Sequence, residues 1–207
     1  MRTTRRRLTT TTAAAAGLAL ALAGCAGQAE AGADSPSAAT STEETQAAQG
    51  THNDADTRFA QMMIVHHQGA IEMAELVAEE AGTDEVRSLA ERIAAAQDPE
   101  IDLMSGWLEE WGEEQPDGMD MGDMDHGGMD MEGMDQEQVM EELGQLEGVE
   151  LDQRFLELMA DHHAGAIEMS QEQLDEGENT DALDLAQKII DDQTVEIAEM
   201  KDLLGGM

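Results

Sequence analysis

From Phe59 onward the chain repeats apolar residues at spacings of three and four. Phe59, Met62, Met63, His66, Ala70, Met73, Ala74 and Val77 fall on one stripe at 100° per residue, while Gln68 and Glu72 point away from it. A second stripe runs through Leu89, Ile93, Gln97, Glu100, Ile101, Met104 and Leu108. The two stripes predict a helical hairpin over residues 54–111. Asp56 is the expected N-cap of its first helix, and Gly82-Thr83 is expected to end that helix and cap the next. Pro99 predicts a kink in the second helix. Nothing alternates with the period of two that a half-buried strand needs, and the chain has no Tyr and few aromatics.

The pattern then recurs. Residues 56–73 read DTRFAQMMIVHHQGAIEM and residues 152–169 read DQRFLELMADHHAGAIEM. The same offset continues without a gap to Leu108 and Leu204, with 20 of 53 aligned positions identical. A second hairpin is therefore expected within residues 139–207, with helices at about 152–177 and 181–204. Val195 stands where the first repeat has Pro99, so proline is tolerated there and not required. Neither hairpin covers its own apolar stripe. The simplest outcome is an all-α fold, a four-helix bundle with pseudo-twofold symmetry built from two tandem hairpin repeats.

Polar residues inside the stripes carry the candidate chemistry. Adjacent side chains on a helix differ by 100° in direction, which places His66 in the middle of the stripe and His67 on its flank. Met63 lies three residues before His66 and four before His67, and Met73 lies two turns beyond His66. One helix thus offers two thioethers and up to two imidazoles, and Met159, His162, His163 and Met169 repeat the set. This soft-to-borderline donor set suits copper, above all Cu(I), rather than Mg, Ca or Mn. Met and His at helical spacing also serve as ordinary core residues, but retention of all four through a diverged duplication weighs against that. Gln97 and Glu100, with their copies Gln193 and Glu196, are expected to stand behind the ligands, accepting imidazole N–H groups and fixing their tautomers; a plain interhelical hydrogen bond is the other reading. A ferritin-type di-iron site needs Glu-x-x-His, but Met63, Ile64, Met159 and Ala160 occupy the positions three before the histidines, so that centre is not expected.

Residues 112–138 form an acidic, glycine-rich linker. Met119, Met121 and Met124 are followed by His126 and then by Met129, Met131 and Met134, in a ten-residue repeat of M-x-M-x-x-M. Asp and Gly fill the gaps, so these methionines are not expected in the core. Six thioethers within sixteen residues suit the wrapping of Cu(I), or of silver as its surrogate, and His126 with the carboxylates suits looser holding of Cu(II). A calcium loop fails, because Asp123 and Asp125 are not followed by the further acidic positions such a loop needs.

The chain begins as an exported one. Arg2, Arg5, Arg6 and Arg7 precede an apolar stretch over residues 13–23 that is too short to span a bilayer. Leu22-Ala23-Gly24-Cys25 has the form of a lipobox. Residues 1–24 then read as a lipoprotein signal, with the single cysteine, Cys25, as the lipidation point. Residues 25–53 read as a disordered tether. Loss of residues 1–24 would leave 47 acidic against 6 basic residues, a formal charge of −41. Such a field concentrates cations, keeps the chain soluble and excludes a nucleic-acid partner.

The motif F-x-x-x-M-x-x-H-H-x-G-A-I-x-M, present at Phe59–Met73 and again at Phe155–Met169, resembles the bacterial secreted family called domain of unknown function 305, over about residues 54–205. The resemblance implies a ferritin-like four-helix bundle and, for some members, copper binding and copper tolerance outside the cytoplasm. On this chain it falls on Met63, His66, His67, Met73 and their four copies. The reading favoured is a lipid-anchored extracytoplasmic copper buffer or chaperone with a transfer partner still to be identified. Ions would be captured by the linker and held in the bundle. Nothing in the sequence supplies the open coordination position of a copper-dependent Cu(I) oxidase. A structural or interacting envelope lipoprotein with packing histidines is the third class.

Overall fold

Two long helical hairpins and one short helix between them make up the computed structural model, which describes residues 50–116 and 134–207. The leader, Cys25, the tether through residue 49, and Met119, Met121, Met124, His126, Met129 and Met131 lie outside the described residues. Helix α1 spans Asp54–Glu80, α2 Asp84–Trp111, α3 Gln136–Leu143, α4 Gly148–Glu176 and α5 Thr180–Gly206. The sequence predicts four helices. The fifth, α3, starts on the last three residues assigned to the linker, runs into the segment assigned to the second repeat, and buries Val139 and Leu143 against the main core.

The caps differ in one respect from the expectation. Asn53, not Asp56, caps α1: its side chain accepts from Ala55 and Asp56 N–H at 2.9 and 3.0 Å. Asp56 occupies the third helical position and returns a bond to Asn53 N–H at 2.8 Å, completing a capping box. That leaves its second oxygen free to act at a distance. Thr83 caps α2 as expected, and Asn179, at the same place in the second repeat, caps α5. Helix α2 is continuous through Pro99.

Helix α1 packs on α2, α4 packs on α5, and the hairpins meet where α1 lies against α4. Each meeting end is tied by an aspartate of the opposite repeat. The Asp56 carboxylate accepts from Gln173 Nε2 and from the Glu178 and Asn179 N–H groups in the α4–α5 turn. Its copy Asp152 accepts from Gly82 N–H and Thr83 Oγ1 in the α1–α2 turn, at 2.9 and 2.8 Å. Both aspartates are fully buried. At the second junction a Cβ on Gly82 would stand 2.5 Å from the Gly148 carbonyl carbon, so only glycine allows the turn this close to α4.

The apolar core falls into two clusters. One joins the C-terminal half of α1 and the start of α2 to the N-terminal half of α4 and the end of α5, with Leu89, Ile93 and Phe155 among its members. The other joins the remaining halves, around Phe59, Met104 and Ile189. Along every long helix the two clusters are separated by the same few residues. In α1 these include His66 and His67, in α2 Gln97 and Glu100, in α4 His162 and His163, and in α5 Gln193 and Glu196. The duplicated polar residues therefore form a belt across the middle of the bundle. No helix among the described residues is long and apolar enough to cross a membrane.

Candidate metal centre

Both histidines of each pair are buried, with His67 and His163 fully enclosed and His66 and His162 nearly so. The sequence places His67 on the flank of its stripe, which would leave it the more open. It is closed because two different neighbours cover the two directions. His66 faces the other repeat, where its ring meets that of His162 at 3.6 Å between centroids, tilted by 45°. His67 faces its own hairpin partner, where Nε2 donates to Glu100 Oε2 at 2.8 Å. His163 repeats this with Glu196 at 2.7 Å.

A carboxylate only accepts, so Nε2 of His67 and of His163 carries a proton, and in the neutral ring Nδ1 carries a lone pair. Those two Nδ1 atoms are buried with no hydrogen-bond partner, as is Nδ1 of His162. Burial alone would raise the Glu100 pKa, but hydrogen bonds from His67 and Lys188 more than offset it and hold the carboxyl below its ordinary value. His162 lies well below the ordinary histidine range, because burial disfavours its cation and the neighbouring imidazoles of His66, His163 and His67 add to that. A neutral imidazole is the form that ligates.

Glu100 and Glu196 each accept from an imidazole of their own hairpin; the glutamines make no such contact. Gln97 and Gln193 are buried in the belt, but their Oε1 atoms receive no bond. The reason is proton count: a neutral imidazole has one N–H, and in His67 and His163 a glutamate already takes it. The belt therefore buries three imidazole nitrogens and two amide oxygens without hydrogen-bond partners. Leaving such atoms unsatisfied costs about 1–3 kcal/mol each.

The methionines regroup. Met63 lies in the same apolar cluster as Met169, and Met73 in the same cluster as Met159. Because α1 and α4 run antiparallel, each end of the histidine belt is flanked by one sulfur from each repeat, not by two sulfurs of one helix. Met169 is half-buried and the other three are fully buried. Met134, the described methionine of the linker motif, is half-buried against the larger cluster, contrary to the expectation that it stands outside the core. Its neighbour Gln136 explains this: Nε2 donates to the Gly69 carbonyl at 3.1 Å and to Glu72 at 3.0 Å, fastening the start of α3 to the histidine turn of α1. Among the described residues, no three His, Cys, Asp or Glu side chains are grouped as a ready-made metal site. The donors of one sort that the belt does gather, imidazole nitrogens near thioethers, match a soft monovalent or borderline divalent cation.

Sequence reasoning missed Lys188, which reaches from α5 to Glu100 Oε1 at 2.8 Å. An exposed lysine at a helical surface position carries no signal of that contact.

The fold and the belt define a class: an antiparallel helical bundle made of two hairpins, each contributing a histidine pair backed by a glutamate. Residues 56–204 match the family described as domain of unknown function 305 (DUF305), and the chain belongs to that family. Among solved structures it is similar to a DUF305 protein of Streptomyces coelicolor named as secreted, at 36% identity and TM-score 0.65, covering 73% of this chain and 91% of that one. A DUF305 fragment from Deinococcus radiodurans matches at 31% identity and TM-score 0.65, covering 75% and 98%. CopM in its Cu(II)-bound form matches at 32% identity and TM-score 0.62, covering 73% and 96%, and its Cu(I)-bound and Ag-bound forms match as well. A comparison with curated proteins yields no match.

Proposed function

We propose that this chain is an extracytoplasmic copper-binding protein that buffers or passes on the ion. The observation that carries the reading is the polar belt: duplicated imidazoles oriented by glutamates, with Nδ1 atoms buried where no hydrogen-bond partner meets them. A cation is the partner that buried imidazole lone pairs and amide oxygens would take. Copper is favoured because thioethers of Met63, Met169, Met73 and Met159 border the imidazoles, and because the similar CopM is solved with Cu(II), Cu(I) and silver. His66, His67, His162 and His163 would supply the imidazole ligands, and Glu100 and Glu196 would fix the ligating tautomer of His67 and His163. The linker methionines Met119, Met121, Met124, Met129, Met131 and Met134, with His126, would capture Cu(I) first, and the acidic surface would raise its local concentration.

Placement outside the cytoplasm is supported by the leader grammar of residues 1–24 and by the secreted relative; attachment to the membrane through lipid on Cys25 is supported by the lipobox. Binding rather than turnover is favoured because every belt imidazole is enclosed, which leaves no open face for a second reactant. The test is an anaerobic Cu(I) competition titration of the chain against a chromophoric chelator, beside the double variant His66→Ala/His162→Ala. Tight binding that falls in the double variant supports the reading. Binding no tighter than that of a generic acidic protein returns the histidines to packing.

A further inference from the structure

The two repeats differ at one chemically consequential point. Behind His67, Glu100 has both oxygens engaged: Oε2 by the imidazole at 2.8 Å and Oε1 by the Lys188 ammonium at 2.8 Å. Lys188 comes from α5 of the other repeat and is held in place by Asp192 on its own helix, also at 2.8 Å. Behind His163, Glu196 meets the imidazole at 2.7 Å, and no cation reaches it among the described residues. The residue that twofold symmetry would put there is Arg92, one repeat length before Lys188. Its guanidinium goes instead to Glu199 and to Ser88.

A carboxylate behind an imidazole raises the basicity of the far nitrogen by drawing on the shared proton, and it attracts the cation bound there. An ammonium in direct contact with that carboxylate cancels much of both effects, and it repels the incoming ion as well. Two screens compete with it: Asp192 shares the same ammonium at 2.8 Å, and water reaches both the lysine, 55% exposed, and the carboxylates. The Glu196 side chain is 21% exposed against 11% for Glu100. That difference is small beside an ammonium, even one shared with Asp192, that touches one glutamate and not the other.

Resting on the copper-binding reading above, we infer that the two half-sites are graded: His163, backed by an uncompensated Glu196, binds a cation more tightly than His67, whose Glu100 is neutralised by Lys188. Lys188 is a positioning residue in this scheme, setting the size of the step without touching the ion. The step is larger for Cu(II) than for Cu(I), because the repulsion and the attraction both scale with ion charge. A graded pair gives one retained ion and one that leaves first, as a protein that hands on its cargo needs.

The experiment is a Cu(II) competition titration of the full chain carrying Cys25→Ser, since thioethers of the linker are poor Cu(II) ligands and leave the histidine steps in view. His163→Ala removes the tighter step and His67→Ala the weaker one. Lys188→Met tightens the weaker step about tenfold, the scale of a change behind a metal ligand, and leaves the tighter step in place. In the metal-free protein Lys188→Met shifts the imidazole ¹⁵N resonances of His67 and leaves those of His163 unmoved, which loss of a merely structural ion pair does not do. Equal steps in the wild type, loss of the weaker step in His163→Ala, or an unchanged gap in Lys188→Met overturns the grading. If no copper binds at the histidines, the functional reading fails. An unmoved His67 resonance in Lys188→Met overturns the grading independently of any metal.

Discussion

The Asp56 carboxylate, in the first turn of one repeat, accepts the Asn179 N–H at 3.1 Å in the hairpin turn of the other. Gln173 Nε2 and Glu178 N–H converge on the same carboxylate, and Asp152 does the reciprocal service for Gly82 and Thr83. Asp56→Ala strands four donors, the Asn53 N–H of the capping box included, and Asp152→Ala strands two. At about 1 kcal/mol per lost bond, the expected losses are about 4 and about 2 kcal/mol. Urea unfolding of both variants reads this directly. A loss below about 0.5 kcal/mol in Asp56→Ala, the range of an ordinary surface change, would mean that the clamp carries no weight.

Two glycines make a contrast within one variant pair. A side chain on Gly82 would collide with the Gly148–Val149 backbone at 2.5–2.8 Å, and backbone cannot step aside cheaply. A side chain on Gly69 would meet the end of the flexible Gln136 side chain at 3.0 Å and His162 Nε2 at 3.6 Å. Gly82→Ala is therefore expected to cost about 3 kcal/mol and Gly69→Ala less than about 1 kcal/mol, the upper and lower ends of overpacking. Thermal unfolding midpoints in the reverse order would show that the α1–α2 junction gives way more easily than its spacing indicates.

The bundle and its belt were legible because each long helix writes its buried face as a stripe, and because polar residues inside a stripe stand out when a duplication keeps them. Glu100 and Glu196 could be assigned to the imidazoles on those grounds alone. The grouping of sulfurs could not. Periodicity says which face of a helix Met63 occupies, but not that the facing helix runs the other way and brings Met169 to it. Asp56 read as the cap because it is an acid near a helix start. It does serve the capping box through Asn53 N–H, but its other donors, Gln173 Nε2 and the Glu178 and Asn179 N–H groups, lie more than a hundred residues away. Helix α3 escaped notice since eight residues give barely two turns of pattern, and such a helix exists only by packing.

Met119, Met121 and Met124 offer a test that leaves the fold alone. Replacing the three with Leu keeps apolar volume and removes the sulfurs, so the expected outcome is a reduced Cu(I) capacity with unchanged circular dichroism and unchanged Cu(II) titration. An undiminished Cu(I) capacity by competition titration would remove the linker from the capture scheme.

Acid should weaken the metal-free protein through the belt. The His162 pKa is lowered below 6.5 by burial and by the surrounding imidazoles, so the unfolded chain takes up this proton before the folded one does. The stabilisation it represents is complete above about pH 6.5 and is lost as pH falls toward the depressed folded value, at up to about 1.4 kcal/mol per pH unit. Glu100 acts in the same sense lower down: its pKa is held below 4.5, so its contribution is present above that value and disappears as the carboxylate is protonated. The 47 acidic residues work against this trend, because their protonation relieves self-repulsion in the compact state. The wild-type curve alone therefore mixes two effects of opposite sign. The difference between wild type and His162→Gln separates them, since the surface charge is common to both. Urea unfolding free energies measured from pH 7.5 to 5 after chelation of metal should fall more steeply for the wild type than for the variant, and parallel curves would show that His162 takes its proton as easily folded as unfolded.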